Sequence, residues 1–306
     1  MSAVSHTVID PGSVAAFITL QVLGGHVGML LILLTIFFSS RIVRHPAFVN
    51  FCVSWMLYAL SYTFLFYTGQ ALNPRPNFSL CLIQSSMIYA APAMGGTSVF
   101  VFTLHLYLVL RQSIGKVPPK RPRLRLIIML SAPYVAYFIM FVVAMFSGYS
   151  RAEKVHRSSL YCTIGISAVT SLSGGISAIA ILAAVIIETL TVITVHQHWL
   201  SFRRGKSGIT MSILIRTSIL LFFSLVAFGT CMVFLANLTS VIPNFVLAIL
   251  PVATFIVFGT QLDFMQVWFS CCLLKKNLKK RPQSESFASI ASESSTGPIV
   301  PPKEYA

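Results

Sequence analysis

The sequence predicts an all-α membrane protein, a bundle of seven transmembrane helices with its N-terminus outside and its C-terminus inside. Three observations carry this. Only 9% of the 306 residues are charged and 56% are apolar, where a soluble domain is about one quarter charged. Seven apolar runs recur, each near the roughly 20 residues that a helix needs to cross about 30 Å of hydrocarbon. Basic residues cluster on alternate connections between those runs.

A short external segment, 1–13, leads into the transmembrane domain, 14–270, and a cytoplasmic tail, 271–306, is basic at first and then Ser-rich. The spans are expected at Val14 to Phe38, Phe48 to Gly69, Ser79 to Leu110, Leu124 to Phe146, Ile164 to Val195, Ile209 to Leu235 and Phe245 to about Phe269. The third and fifth are long enough to tilt or to project beyond lipid. Turn chemistry separates the runs, as in Asn73-Pro74-Arg75-Pro76 and Val117-Pro118-Pro119. Pro92, Pro133 and Pro251 fall inside spans, where membrane helices tolerate them. The first fourteen residues lack Lys and Arg, so the first span is expected to serve as its own insertion signal.

Charge orients the bundle. Arg41 and Arg44 follow span one; Arg111, Lys116, Lys120, Arg121, Arg123 and Arg125 follow span three; Arg203, Arg204 and Lys206 follow span five. Lys275, Lys276, Lys279, Lys280 and Arg281 open the tail, making sixteen basic residues on that side against four on the other: Arg75, Arg151, Lys154 and Arg157. Cytoplasmic loops carry the excess of Lys and Arg, so the tail lies inside. The sequons at Asn77 and Asn237 fall near external loops and are candidate glycosylation sites. The net charge of +15 is dispersed in loop clusters, which points to anionic membrane lipids and not to nucleic acid.

Six cysteines are too few for a disulfide scaffold and show no metal-binding spacing. Cys81 at the head of span three and Cys162 late in the second external loop share the oxidising side. A bridge there would tie the loop over the bundle mouth; two unrelated thiols are the alternative. Cys271 and Cys272, at the cytoplasmic membrane exit, are candidate lipidation sites. The Ser-rich tail from Ser284 to Thr296 offers phosphorylation sites or a solvated segment.

Buried polar and charged groups are the remaining candidates, because burial in lipid is costly. Tyr67, Gln70, Gln84, Ser85, Tyr89 and Asn244 lie in the outer parts of spans and form a candidate ligand pocket, with interhelical hydrogen bonding as the alternative. Glu188 and Arg216 approach the cytoplasmic third, where an ion pair between them would hold spans five and six together. His26 is expected as a hydrogen-bonded core residue, and the Gly24-x-x-x-Gly28 spacing as a close helix contact inside the bundle.

Seven spans, an external N-terminus, Cys81 with Cys162, and Arg44-His45-Pro46-Ala47-Phe48-Val49-Asn50 in the first cytoplasmic loop and the entry to span two together resemble a divergent G-protein-coupled receptor. The chain is similar in this to fungal seven-span receptor-like proteins with degenerate motifs. Where rhodopsin-like receptors carry an acidic-Arg-Tyr triplet, this chain has His105-Leu106-Tyr107, with Arg111 the nearest Arg. Span seven reads Phe258-Gly259-Thr260-Gln261-Leu262-Asp263. The resemblance implies a plasma-membrane receptor that passes an external ligand signal to a heterotrimeric G protein. His105, Tyr107, Arg111, Glu188, Arg203, Arg204 and Arg216 are the candidate cytoplasmic coupling residues. Span seven has no lysine, which excludes a retinal Schiff base; no cofactor and no enzymatic activity are expected. The alternatives are a small-solute transporter or channel, and a receptor-shaped scaffold without coupling.

Overall fold

The structure, a computed structural model, describes residues 10–39, 42, 44–113, 122–197, 215–219, 221–226, 229 and 242–273. Helix α1 covers Pro11–Phe38. Its start follows from capping chemistry: the Asp10 carboxylate accepts from the backbone N–H of Gly12 (3.2 Å) and Ser13 (3.0 Å), with Pro11 at the first helical position. The middle of α1, Val22–Gly28, winds as a π-helix. Helix α2 covers Pro46–Tyr67, again opening on a proline, and the His45 ring accepts from the Ala47 N–H at 3.2 Å. Gly69, at φ 71°, takes the left-handed conformation that ends α2.

Helices α3 (Phe78–Ser113), α4 (Pro122–Ser150) and α5 (Ser167–Gln197) follow. Between α4 and α5 lies a short antiparallel hairpin of β1 (Val155–Arg157) and β2 (Cys162–Ile164), in register Val155 to Ile164 and Arg157 to Cys162. The expected start of span five at Ile164 is therefore corrected to Ser167, because Ile164 pairs in the hairpin. Helix α6 (Ile215–Val226) is described at 215–219 and 221–226. It is followed by α7 (Ile242–Gly259), a turn at Thr260 and Gln261, and α8 (Leu262–Leu273).

Five of these helices are long and apolar enough to cross a membrane, six if Pro243–Gly259 and Asp263–Phe269 form one broken span. Apart from the described part of α6 and Gly229, the expected Ile209 to Leu235 run lies outside the described residues. The surface supports membrane placement: Ile127, Phe138 and Phe146 on α4, and Ile179, Leu182 and Ile186 on α5, are all more than half exposed. A water-soluble monomer rarely exposes such continuous apolar faces.

Helix α3 is the centre of the bundle and packs on α2, α4 and α5. Its Ala90, Ala91, Ala93 and Met94 are fully buried. Helix α1 sits between α2 and α7 because three glycines let it. A Cβ on Gly25 would stand 2.1 Å from the Ala59 Cβ, and one on Gly24 would stand 2.4 Å from the Val252 nitrogen. The Gly24 and Gly28 spacing thus serves contact within the bundle, with Gly28 facing Phe255. The chain divides into two compact units at Met265 and Gln266. The packed bundle belongs to the first; in the second, residues 266–273 are the final turns of α8.

Candidate functional site

The end of the bundle that carries the hairpin is closed by covalent and polar ties. Cys81 and Cys162 form a disulfide with Cα atoms 5.3 Å apart, and both are buried. This connects the first turn of α3 to β2. Gln84, one turn further along α3 and 1% exposed, accepts from the Cys162 N–H at 3.0 Å and donates to the Tyr62 carbonyl at 3.2 Å. It fixes the hairpin to α3 and α3 to α2 with one side chain. The Tyr89 hydroxyl donates to the Ile164 carbonyl at 2.8 Å and meets the Thr163 hydroxyl at 2.9 Å. Ser173 of α5 donates to the Tyr89 carbonyl at 2.6 Å.

Tyr161, in the hairpin turn, extends these ties to α7 and α1. Its hydroxyl donates to Asn244 Oδ1 at 2.5 Å, and its ring lies 5.9 Å from Phe17 and 5.7 Å from Tyr62. Phe17 in turn packs edge-on against Phe245 at 6.2 Å. Arg157 of β1 donates to the Ala71 carbonyl at 2.6 Å, tying the hairpin to the connection between α2 and α3. Burial holds its guanidinium below the ordinary arginine range.

Of the expected pocket residues, Gln84, Tyr89 and Asn244 converge on the hairpin. Ser85 bonds back to the Leu82 carbonyl within its own helix at 2.9 Å. Gln70 accepts from Asn73 in the turn after α2, and Tyr67 is half exposed, its ring edge-on to His26 at 5.5 Å. His26 also meets the Thr63 hydroxyl at 3.2 Å, a core hydrogen bond. Asn77 is exposed and caps α3 through the Ser79 N–H at 3.0 Å.

The opposite end is held by arginines. Arg44 donates to Gln261 Oε1 at 2.6 Å and pairs with Asp263 at 2.9 Å, while its guanidinium lies 5.4 Å from the centre of the Phe264 ring. Arg216 of α6 donates to the carbonyls of Val257 and Thr260 and to the Thr260 hydroxyl. A cation there compensates the negative end of the α7 dipole and satisfies terminal carbonyls. The Glu188 carboxylate, buried on α5, accepts from the Ser218 hydroxyl. The expected Glu188 to Arg216 ion pair is thus replaced by separate partners. Successive helical residues point about 100° apart, so Ser218 meets α5 while Arg216, two positions away, meets α7.

The rings of His45 and His105 stack at 4.0 Å, and the rings of Phe48, Phe51, Phe102 and Phe258 form a cluster of their own. Arg111 turns back on its own helix, donating to the Tyr107 hydroxyl at 3.0 Å. Arg203, Arg204 and Asn237 lie outside the described residues, as do the side chains of Cys271 and Cys272.

Sequence reasoning missed the hairpin, the Arg44 partners and the histidine stack. The one available signal was His45-Pro46, a ring nitrogen placed just before a first-turn proline. Among the described residues, no group of three or more His, Cys, Asp or Glu is arranged to hold a metal ion. No known protein family's sequence profile matches the chain, and no curated protein matches it significantly.

Proposed function

We propose that the chain is a divergent seven-span receptor of the plasma membrane that passes an external ligand signal to a heterotrimeric G protein. The observation that supports this most is the capped end. A disulfide-tied hairpin joins α1, α2, α3, α5 and α7 through Tyr161, Gln84, Tyr89 and Asn244, so a ligand displacing any of those ties acts on several helices at once. The Arg44 and Arg216 contacts at the other end join α6, α7 and the residues before α2. Such contacts give a second state something to break. In this reading the hairpin faces outside, Asn77 is open to glycosylation, and the basic segment after α8, with lipidation at Cys271 and Cys272, holds to the inner leaflet.

Co-expression of the full chain with heterotrimeric G proteins, followed by measurement of nucleotide exchange, tests the proposal. Exchange above that of the G proteins alone supports it. Absence of exchange together with solute flux through reconstituted vesicles establishes the transporter alternative, and absence of both establishes the scaffold.

A further inference from the structure

A groove of about 320 Å³ runs between α4 and α5 at the end of the bundle that carries the hairpin. It exists because both helices lie along α3 while touching each other at few points. Val169 lines it and packs behind it with the buried Ala144 and Ile164, so core side chains back the groove on the side of the bundle. Phe146 and Leu172, which also line it, are exposed on the apolar outer faces of their helices. The groove therefore opens on the surface that membrane placement gives to lipid, and its occupant comes from the bilayer, not along the bundle axis.

Its lining is graded. Val143, Ser147 and Arg151 follow one another at intervals of four residues along α4 and its end, each step a rise of about 6 Å. Three residues beyond Leu172 on α5, Gly175 leaves the space open: a Cβ there would meet nothing within 4 Å among the described residues. Inward from the hairpin end, the groove thus offers a cation, then a hydroxyl, then apolar surface. The Ser150 hydroxyl is engaged with the Phe146 carbonyl at 2.8 Å. The Arg151 guanidinium and the Ser147 hydroxyl have no hydrogen-bond or ion-pair partner among the described residues. Helix α4 ends and α5 begins at this mouth, so their dipole ends offset one another. Glu153 and Lys154, in the turn that follows, are exposed, outside the lining and of opposite sign. Arg151 therefore sets the charge that the mouth accepts.

We infer that this groove binds a phospholipid from the leaflet on the hairpin side, with its phosphate on Arg151, an ester carbonyl at Ser147 and one acyl chain along Val143, Leu172 and Gly175. The order of groups down a glycerophospholipid, anion then ester then hydrocarbon, is the order of the lining. The planar guanidinium fork matches phosphate oxygens, and a hydroxyl donates to an ester carbonyl. A sterol or a diacylglycerol would leave the arginine unused. The bound lipid bridges α4 and α5 where they part. The inference does not rest on the receptor reading.

Purified full-length chain in detergent micelles is titrated with phosphatidylcholine and with diacylglycerol of the same acyl chains, neither carrying net charge, and bound lipid is counted by native mass spectrometry. The first phosphatidylcholine is expected to bind about tenfold more tightly than diacylglycerol, the effect of one hydrogen bond to a charged group. Arg151→Gln should abolish that preference, and Ser147→Ala should weaken phosphatidylcholine about threefold. Ala168→Phe, which fills the groove from an exposed position in its lining, should weaken both lipids. Lys154→Gln, which removes the neighbouring cation, should change neither. If Arg151→Gln does not fold, Ala168→Phe and Lys154→Gln carry the test. Equal binding of the two lipids, a preference that survives Arg151→Gln, an equal loss in Lys154→Gln, or indifference to Ala168→Phe overturns the site. Displacement of the phospholipid by equimolar cholesterol overturns its identity.

Discussion

His45 shows how one side chain takes on opposed duties. Its ring caps α2 as an acceptor, lies face to face with His105, and stands next to Arg44, with the Arg125 charge acting on the stack from α4. Only a neutral ring can accept from the Ala47 N–H, and burial holds the His45 pKa below its ordinary 6.5. A histidine whose folded pKa is depressed contributes its stability fully above the unfolded value and loses it as pH falls below about 6.5. Wild-type melting temperature should therefore fall as pH drops from about 7 to about 5, and His45→Asn, which keeps a cap without a titrating ring, should flatten that slope. Equal slopes in the two proteins would refute this. Arg44 and Asp263 are unequal partners: Asp263 is half exposed, whereas Arg44 is mostly buried and serves Gln261 and Phe264 as well. Arg44→Ala should cost about 1–3 kcal/mol, through the acceptors it strands, and Asp263→Asn less than about 1 kcal/mol; thermal denaturation of both variants measures the difference.

Among the elements, α1 depends most on the absence of side chains. Gly25→Ala places a methyl group where the Ala59 Cβ already stands, and overpacking of this kind costs about 1–3 kcal/mol. Restoring the space with Ala59→Gly should recover most of the loss in the double variant, which thermal melts of the four combinations decide. The elements were the most legible part of the sequence, since apolar length announces a span whatever it packs against. Their ends were less so: Ile164 reads as the continuation of an apolar helix but pairs with Val155, because hydropathy does not distinguish a buried strand from a helix start. The partners of Arg216 were not legible either. Depth along a span gives the level of a side chain but not its azimuth, and azimuth decided between α5 and α7. Gln84, Tyr89 and Asn244 were found as polar residues in apolar runs, yet their shared dependence on the hairpin needed the tertiary structure.

At the scale of the molecule, the disulfide spans 81 positions of sequence, and loops of that size gain about 4.5 kcal/mol from cross-linking in the chain-entropy account, with measured values often lower. Cys81→Ser together with Cys162→Ser should lower the melting temperature, and backbone amide exchange should rise over Val155 to Ile164 while the α3 centre stays protected. Uniform exchange across both regions would show that the bridge holds the whole bundle and not the cap alone. The same bond also makes the protein a recorder of its own synthesis. Its thiols meet only after the fourth helix has been laid down, and in the proposed orientation, with the hairpin outside, they face an oxidising compartment. Cys81 of a nascent chain should remain alkylatable until Cys162 has cleared the ribosome and the translocon, then become resistant in a single step. On the proposed orientation, chains inserted the other way round would keep both thiols free, giving quality-control machinery a chemical mark by which to tell them apart.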